Sequence, residues 1–150
     1  MVNFEIKTMT EELTFTMIKP DAVEKKHMAS ILSLISNAGF EIIAIKMKKL
    51  KLKEAKSFYS IHKKQPFFSN LISFITRGPV VLAVLKKDNA VEDFRKLIGN
   101  TNPEKAENDT IRKKFATSVG ENAIHGSDSL ENAKNEISFH FSEKEIFNKE

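Results

Sequence analysis

Segments with a two-residue apolar period alternate along this 150-residue chain with segments that have the period of a helix. The alternation at 13–17 and 43–48 predicts two strands, and the β-branched run at 80–85 predicts a buried third strand. Apolar side chains recur at helical spacing in four stretches: 28–35, 55–62, 68–75 and 91–98. Such an order of strands and helices predicts an α+β sandwich.

The C-terminal third of the chain is less regular. Residues 99–128 have the composition of a loop with one short apolar piece at 111–115, and a loop of that length is usually functional or disordered. A helix at 129–136 and a last strand at 137–141 are predicted, followed by a turn capped by Ser142 and Glu145. The length suits one domain, expected at 13–150, after a flexible polar arm at 1–12.

The composition excludes several classes of protein. The chain has no cysteine, so disulfides, thiol catalysis and thiolate metal sites are excluded. No apolar run approaches the ~20 residues of a membrane span, and charges interrupt the N-terminal segment where a leader peptide would lie. We therefore expect a cytoplasmic protein. The net charge of +4 favours anionic partners such as nucleotides or nucleic acid without choosing among them.

Familiar phosphate-binding and hydrolytic motifs are missing. The five glycines form neither a P-loop nor a Gly-rich dinucleotide or protein-kinase fingerprint, and no nucleophile elbow occurs. The four histidines have no metal-ligand spacing. A protein of this sequence that handles phosphates must use individual cations and loop amides.

The string at 122–129, Asn-Ala-Ile-His-Gly-Ser-Asp-Ser, places a histidine in a tight turn. Gly126 reduces steric bulk beside His125. Ser127, together with Glu136 if 129–136 is helical, can hydrogen-bond the ring and fix its tautomer. A neutral imidazole is a competent nucleophile at pH 7. On this string alone, a nucleophile and a structural histidine both remain open, whereas His27, His62 and His140 are interpreted as structural or solvated.

Other side chains suit a nucleotide. Lys19, Arg95 and Arg112 are cations of the kind that bind polyphosphate, and a surface charge is the alternative for each. Thr101 lies in a turn where its hydroxyl can donate a hydrogen bond. Phe67 lies off the apolar stripe of its helix, so base stacking and core packing are both open for it.

Together these residues occur in strings that resemble the nucleoside diphosphate kinases. The matching strings, in the family's order over roughly 13–147, are Thr-Phe-Thr-Met-Ile-Lys-Pro-Asp at 14–21, Gln-Pro-Phe-Phe at 65–68, Arg-Gly-Pro-Val-Val at 77–81, Gly-Asn-Thr-Asn-Pro at 99–103, Thr-Ile-Arg at 110–112 and the histidine string at 122–129.

The resemblance implies a ferredoxin-like fold, a four-stranded antiparallel sheet with helices on one face. It also implies reversible transfer of a γ-phosphate from a nucleoside triphosphate to a nucleoside diphosphate by a ping-pong reaction. By that resemblance His125 carries the phosphoryl group, and Ser127 and Glu136 orient it. The residues implied to surround the sugar and phosphates are Lys19, Tyr59, Arg95, Thr101, Arg112 and Asn122, and Phe67 and Val119 are implied to clamp the base.

The resemblance further implies Mg²⁺ held mainly by the nucleotide's phosphates rather than by a protein cage, and a homo-oligomer, either a tetramer or a hexamer. Neither a membrane nor a nucleic acid is required as a partner. Two other hypotheses are a nucleic-acid-binding module, for which the expected aromatic RNA-binding string is missing, and a catalytically silent family member, against which the complete set of site residues argues.

Overall fold

The computed structural model describes residues 11–148. Its strands are β1 (Glu11–Ile18), β2 (Glu41–Lys49), β3 (Pro79–Asp88) and β4 (Ile124–Gly126). Its helices are α1 (Pro20–Glu24), α2 (Met28–Asn37), α3 (Leu52–Phe58), α4 (Phe68–Thr76), α5 (Ala90–Ile98), α6 (Ile111–Phe115) and α7 (Leu130–His140). Short 3₁₀ turns occur at Ser60–His62, Pro103–Lys105 and Glu143–Glu145.

The strands form an antiparallel sheet in the order β2-β3-β1-β4, which confirms the predicted four-stranded ferredoxin-like sheet within residues 11–148. The centre of the sheet is the long β1–β3 pair, in which Glu11 lies opposite Asp88 and Ile18 opposite Val81. The short strand β4 pairs with the end of β1, so the residues of β4 lie at one edge of the sheet.

Helices cover both faces of the sheet, and the expectation of helices on one face is therefore wrong. Phe15 and Met17 point to one face, where they pack with residues of α3, α4 and α7. Ile18 belongs to the other face, which packs with residues of α1, α2, α5 and α6. The alternation of side chains along β1 explains this arrangement, since its threonines and Ile18 on the second face are as fully buried as its large apolar residues.

The predicted strand at 137–141 is also wrong, because these residues continue α7 as far as His140. Ser129 caps this helix by accepting a hydrogen bond from the backbone N–H of Asn132. The buried positions of α7 are Ala133, Ile137 and His140, which have helical spacing and lie on the face towards the sheet. The fourth strand is instead β4, inside the segment predicted as loop.

Several smaller expectations have clear outcomes. The capping box of Ser142 and Glu145 is present. The helix predicted at 55–62 ends at Phe58 and continues as a 3₁₀ turn. Most of the predicted arm at 1–12 lies outside the described residues, and Glu11 and Glu12 begin β1. In the part of the chain that the structure describes, no helix is long and apolar enough to cross a membrane.

Candidate active site

A cleft of about 1460 Å³ opens beside β4, between α4, the turn at 59–62 and the segment at 99–122. Ten of the eleven predicted site residues line it: Lys19, Tyr59, Phe67, Arg95, Thr101, Arg112, Val119, Asn122, His125 and Glu136. The eleventh, Ser127, is buried behind Glu136. Residues that are more than a hundred positions apart in sequence therefore share one cavity.

His125 lies in the strand β4, so the expectation that it lies in a tight turn is wrong. It lies opposite Met17 in the β1–β4 pair, and the hydroxyl of Thr16 donates a hydrogen bond to its carbonyl oxygen at 2.8 Å. The ring packs against Phe58 in an edge arrangement, with 6.0 Å between centroids. Gly126 must be small, since a Cβ there would lie 2.9 Å from the ring of Phe94. The histidine is thus fixed at the sheet edge with its side chain only partly exposed.

A carboxylate fixes the orientation of the imidazole. Nε2 of His125 lies 2.9 Å from Oε1 of Glu136, and the hydroxyl of Ser127 donates to the same oxygen at 2.6 Å. Ser127 therefore contacts Glu136 rather than the ring. Ser127 holds the carboxylate in place, and the carboxylate in turn orients the imidazole. Because a carboxylate accepts hydrogen bonds, the neutral ring carries its proton on Nε2 and its lone pair on Nδ1.

Lys19 supplies a cation to the inner part of the cleft. Its Nζ donates to Oδ1 of Asn122 at 2.8 Å, while Nδ2 of Asn122 donates to the carbonyl of Thr101 at 3.4 Å. Burial, assisted by the charge of Arg112 and opposed by Asp21, lowers the pKa of Lys19 to about 8. An anion bound here would favour the charged lysine.

Asp21, in the Lys-Pro-Asp string, is a positioning residue, although its sequence context indicated no role for it. Its Oδ2 accepts from the backbone N–H of Ala123 at 3.0 Å, and the backbone N–H of Lys19 donates to the carbonyl of Ala123 at 2.8 Å. Ala123 has a φ of +74°, which is costly for a residue with a Cβ. The Lys-Pro-Asp string therefore holds the chain in the conformation that leads into β4. Burial raises the pKa of the Asp21 carboxyl.

Arg112 joins two segments of the cleft wall. Its guanidinium donates to the carbonyls of Gly99 at 2.9 Å and Ile124 at 2.8 Å. Burial, and then the charge of Arg95, lowers the pKa of Arg112 to about 10. Gly99 has a φ of +89°, and a Cβ there would lie 2.5 Å from the hydroxyl of Thr110, so only glycine fits. The arginine is thus held rigidly, with its Nε buried and unbonded within residues 11–148.

Tyr59 presents a neutral phenol. Burial and the charge of Glu136 raise the pKa of Tyr59, so the hydroxyl stays protonated. Among the described residues its Oη has no hydrogen-bond partner, although it is buried and the residue lines the cleft. A buried donor without an acceptor is costly, and an oxygen of a bound ligand would satisfy it.

The outer part of the cleft is apolar and open. Phe67 and Val119 line it with 47% and 54% of their surfaces exposed. His62, predicted to lie on a helical stripe, instead follows α3 in the 3₁₀ turn, and its ring centroid lies 5.5 Å from that of Phe67. His140 is buried and stacks on Phe15 at 5.2 Å, as a structural histidine does, and burial lowers its pKa to about 4.

The polar groups of the cleft suit phosphate oxygens better than a bare metal ion. Four cationic side chains and three carboxylates line it, and residues 11–148 contain no group of three or more histidines and carboxylates that could hold a metal. A divalent cation fits such a site when it arrives on the phosphates of a nucleotide, as Mg²⁺ commonly does.

Comparisons with known proteins agree with this geometry. The nucleoside diphosphate kinase family matches residues 12–146. A nucleoside diphosphate kinase of Flavobacterium psychrophilum is 54% identical over 139 residues, which are 93% of this chain and 100% of that protein. The crystal structure of the Aquifex aeolicus nucleoside diphosphate kinase matches with a TM-score of 0.88 and 43% identity, over 91% of this chain and 99% of that chain. A halophilic nucleoside diphosphate kinase from Halobacterium salinarum, in complex with CDP, matches with a TM-score of 0.89 and 32% identity, over 93% of each chain.

The fold and these likenesses define a phosphotransferase that acts on nucleotides. The chain belongs to the nucleoside diphosphate kinase family, as the matching strings imply. Its activity is the reversible transfer of the γ-phosphate from a nucleoside triphosphate to a nucleoside diphosphate. Phosphotransfer in this family generally depends on a divalent metal ion.

Proposed function

We propose that Nδ1 of His125 is the nucleophile of this kinase and carries the phosphoryl group between two nucleotides. The observation that supports this most directly is the hydrogen bond between Nε2 and Glu136 at 2.9 Å, because it commits one ring nitrogen and leaves the other with its lone pair. The ring lies in the same cleft as Lys19 and Arg112. These cations would stabilise the negative charge on the phosphoryl group during its transfer.

The chemistry divides into two balanced half-reactions. In the first, the Nδ1 lone pair bonds to the γ-phosphorus while the bond from that phosphorus to its bridging oxygen breaks, and the nucleoside diphosphate leaves with the electron pair. The ring keeps its proton on Nε2 and becomes cationic, and Glu136 stabilises that charge. In the second, a terminal oxygen of another diphosphate attacks the phosphorus and the P–N bond breaks. One site thus serves donor and acceptor in turn.

The buried polar groups would bind the phosphates and the sugar. Lys19 and Arg112 supply fixed positive charge, and the unbonded hydroxyl of Tyr59 supplies a donor near the reacting histidine. The remaining proposed ligands, all lining the same cleft, are Arg95, Thr101 and Asn122. Phosphoryl transfer needs positioning and charge neutralisation more than acid–base chemistry, which this set provides.

The base would lie between Phe67 and Val119 in the outer cleft. Both are exposed apolar surfaces, and stacking does not depend on which hydrogen-bonding groups a base carries. The enzyme is therefore expected to accept purine and pyrimidine diphosphates alike. A strong preference among the common diphosphates would contradict this arrangement.

Mg²⁺ is the divalent ion we propose for this chain, held mainly by the phosphates of the nucleotide. When bound, it neutralises part of the phosphate charge and orients the terminal phosphoryl group. The chain's own cations remain responsible for placing the phosphates against His125.

A transfer assay with matched histidine variants tests the proposal. Phosphate transfer from ATP to a second nucleoside diphosphate is measured for the wild type, His125→Ala and His27→Ala, since His27 packs against Phe115 outside the cleft. We expect His125→Ala to lose transfer and His27→Ala to keep it. Full transfer by His125→Ala, with both variants folded, would refute the assignment. Salt-dependent oligonucleotide binding without transfer would instead favour the nucleic-acid module.

We also propose that the protein is a homo-oligomer and is cytoplasmic. The edge strand β2 exposes 49% of Ile45 and 51% of Met47, and an exposed apolar edge of this kind is commonly covered by another chain. Sizing in solution is expected to give a tetramer or a hexamer, and a clean monomer would contradict the oligomer. Fractionation of cells tests the location.

A further inference from the structure

A three-residue ion cluster lies beside the cleft, and two of its members, Arg77 and Glu121, line it. Arg77 Nε and Nη2 donate to the two oxygens of Glu24 at 2.9 and 2.8 Å, and Nη2 also donates to Glu121 at 3.1 Å. The mechanism above uses none of these three side chains. Each is between a third and a half exposed, so the cluster faces solvent as well as the cleft.

The cluster joins two walls of the outer cleft. Arg77 directly follows α4, the helix that Phe67 precedes, and its guanidinium carbon lies 4.9 Å over the ring of Phe74 on that helix. Glu121 follows Val119 in a turn closed by two hydrogen bonds from Thr117 and Ser118 to the carbonyl of Glu121. One guanidinium therefore connects the wall that carries Phe67 to the turn that carries Val119.

Each charged side chain of the cluster stabilises the ionised form of its partner. Hydrogen bonding from Arg77 holds the pKa of Glu24 below its usual value, and both carboxylates raise the pKa of Arg77. Two glutamates share one cation, so removing Arg77 leaves two negative charges without their common partner. Bidentate pairing also fixes the plane of the guanidinium, which a lysine cannot reproduce.

We propose that Arg77 is a positioning residue that sets the spacing between Phe67 and Val119 through its ion pair with Glu121, and so controls how tightly the base of a nucleotide is held. This inference rests on the proposed function, in which those two side chains clamp the base. It assigns Arg77 an effect on the binding of base-bearing nucleotides and none on the transfer step.

Direct contact between Arg77 and a nucleotide is the competing role, since Arg77 also lines the cleft. The two roles predict opposite effects for Glu121→Gln. If Arg77 acts through Glu121, the neutral glutamine weakens the connection and raises KM. If Arg77 binds a phosphate directly, removal of the neighbouring negative charge lowers KM or leaves it unchanged.

The test compares Arg77→Met, Glu121→Gln and the double variant with Lys46→Met, which breaks an ion pair of similar exposure (Lys46–Glu145, 3.1 Å) remote from the cleft. Transfer from ATP is measured to a nucleoside diphosphate and to ribose 5-diphosphate, which has the sugar and phosphates but no base. We expect each single variant to raise KM for the nucleoside diphosphate about three- to tenfold with kcat unchanged.

Four further outcomes support the proposal. KM for ribose 5-diphosphate stays unchanged, the double variant is no worse than either single variant because both remove one shared contact, and Lys46→Met behaves as the wild type. The difference between Arg77→Met and the wild type also shrinks at ~1 M salt, where exposed ion pairs are screened.

The proposal would be overturned if KM for the nucleoside diphosphate were equal in the wild type and Arg77→Met. It would also be overturned if Arg77→Met raised KM equally for the nucleoside diphosphate and for ribose 5-diphosphate. A Phe67→Ala variant measured with both acceptors separates this failure from failure of the proposed base site. If Phe67→Ala impairs only the base-bearing acceptor and Arg77→Met has no effect, the base site stands and Arg77 has no positioning role. If Phe67→Ala also has no effect, the base site itself is misplaced.

Discussion

The two ends of the cleft are built differently. At the inner end Arg112 and Asn122 are buried, Arg112 donates to the carbonyl of Ile124, and the partly exposed Lys19 donates to Asn122. These three side chains are therefore positioned before any ligand arrives. At the outer end Phe67 and Val119 are about half exposed, and the ion pair of Arg77 with Glu121 nearby is itself partly exposed to solvent. In the proposed site, the rigid end therefore binds the phosphates, which all substrates share, and the more exposed apolar end binds the base, which varies.

The largest effect is expected from Arg112→Ala, which removes a rigid cation of the inner end. We expect kcat/KM to fall about a hundred- to a thousandfold, because a preorganised charge on the transferring phosphoryl group is lost. The melting temperature should fall as well, since the carbonyls of Gly99 and Ile124 lose their donor. Lys113→Ala, an exposed change on the same helix, is the control and should alter neither quantity. If kcat/KM falls no further in Arg112→Ala than in Phe67→Ala, the two ends of the cleft do not differ in the way proposed.

Glu136→Gln should have the next largest effect. The amide has the shape of the carboxylate but cannot stabilise a cationic ring, so kcat is expected to fall about ten- to a hundredfold with little change in KM. Rapid-quench measurement of the first half-reaction locates the loss in phosphorylation of the enzyme. Glu131→Gln, exposed on the same helix, provides the comparison. Unchanged phosphorylation in Glu136→Gln would mean that the hydrogen bond to His125 does not orient the ring for reaction.

The pH dependence of kcat/KM is expected to follow the titration of Lys19 at the inner end of the cleft. Burial lowers its pKa to about 8, so the side chain is charged below that pH and neutral above it. In the proposed site only the charged form binds phosphate, so kcat/KM is expected to fall about tenfold per pH unit above pH 8. Lys19→Arg, which stays charged, should remove this decline. A wild-type profile that stays flat to pH 10 would contradict the role of Lys19.

Phe67→Ala should have the smallest of these effects. Loss of one stacking surface is expected to raise KM about five- to tenfold, with similar factors for adenine, guanine, cytosine and uracil diphosphates. Measurement of KM for the four diphosphates checks this expectation. Val119→Leu, which keeps an apolar surface, should retain the wild-type KM. A change confined to one base would mean that the slot reads base identity, contrary to the comparison above.

Much of the fold was predictable because its main elements have clear periods. β1, β2 and β3 are long enough to show alternation or a β-branched run, and their order with the helices gave the sandwich. β4 has only three residues, too few to show any period. The C-terminal end of α7 was misassigned because Ile137, Phe139 and Phe141 alternate in sequence, although His140 completes the buried stripe of a helix.

The site was predictable where a residue's chemistry shows in its motif. His125 with Gly126 and Ser127 suggested a constrained histidine, but spacing alone left a structural role open. The chemistry of the side chains also suggested several nucleotide ligands, each with a structural alternative, and the resemblance alone supplied Tyr59, Val119 and Asn122. The role of Asp21 depends on a backbone N–H at Ala123 about a hundred positions away, and the pairing of Arg77 with Glu121 depends on the packing of α4 against a turn. No local pattern contains such information.

In the proposed reaction, one ring nitrogen of one histidine carries the phosphoryl group. The most direct test is ³¹P and ¹⁵N NMR of phosphorylated enzyme isolated after reaction with ATP and Mg²⁺. The account predicts acid-labile phosphate bonded to Nδ1 of His125, which a nucleoside diphosphate then removes. Phosphate on Nε2, phosphate on a different residue, or no phosphoenzyme in an actively transferring preparation would contradict it.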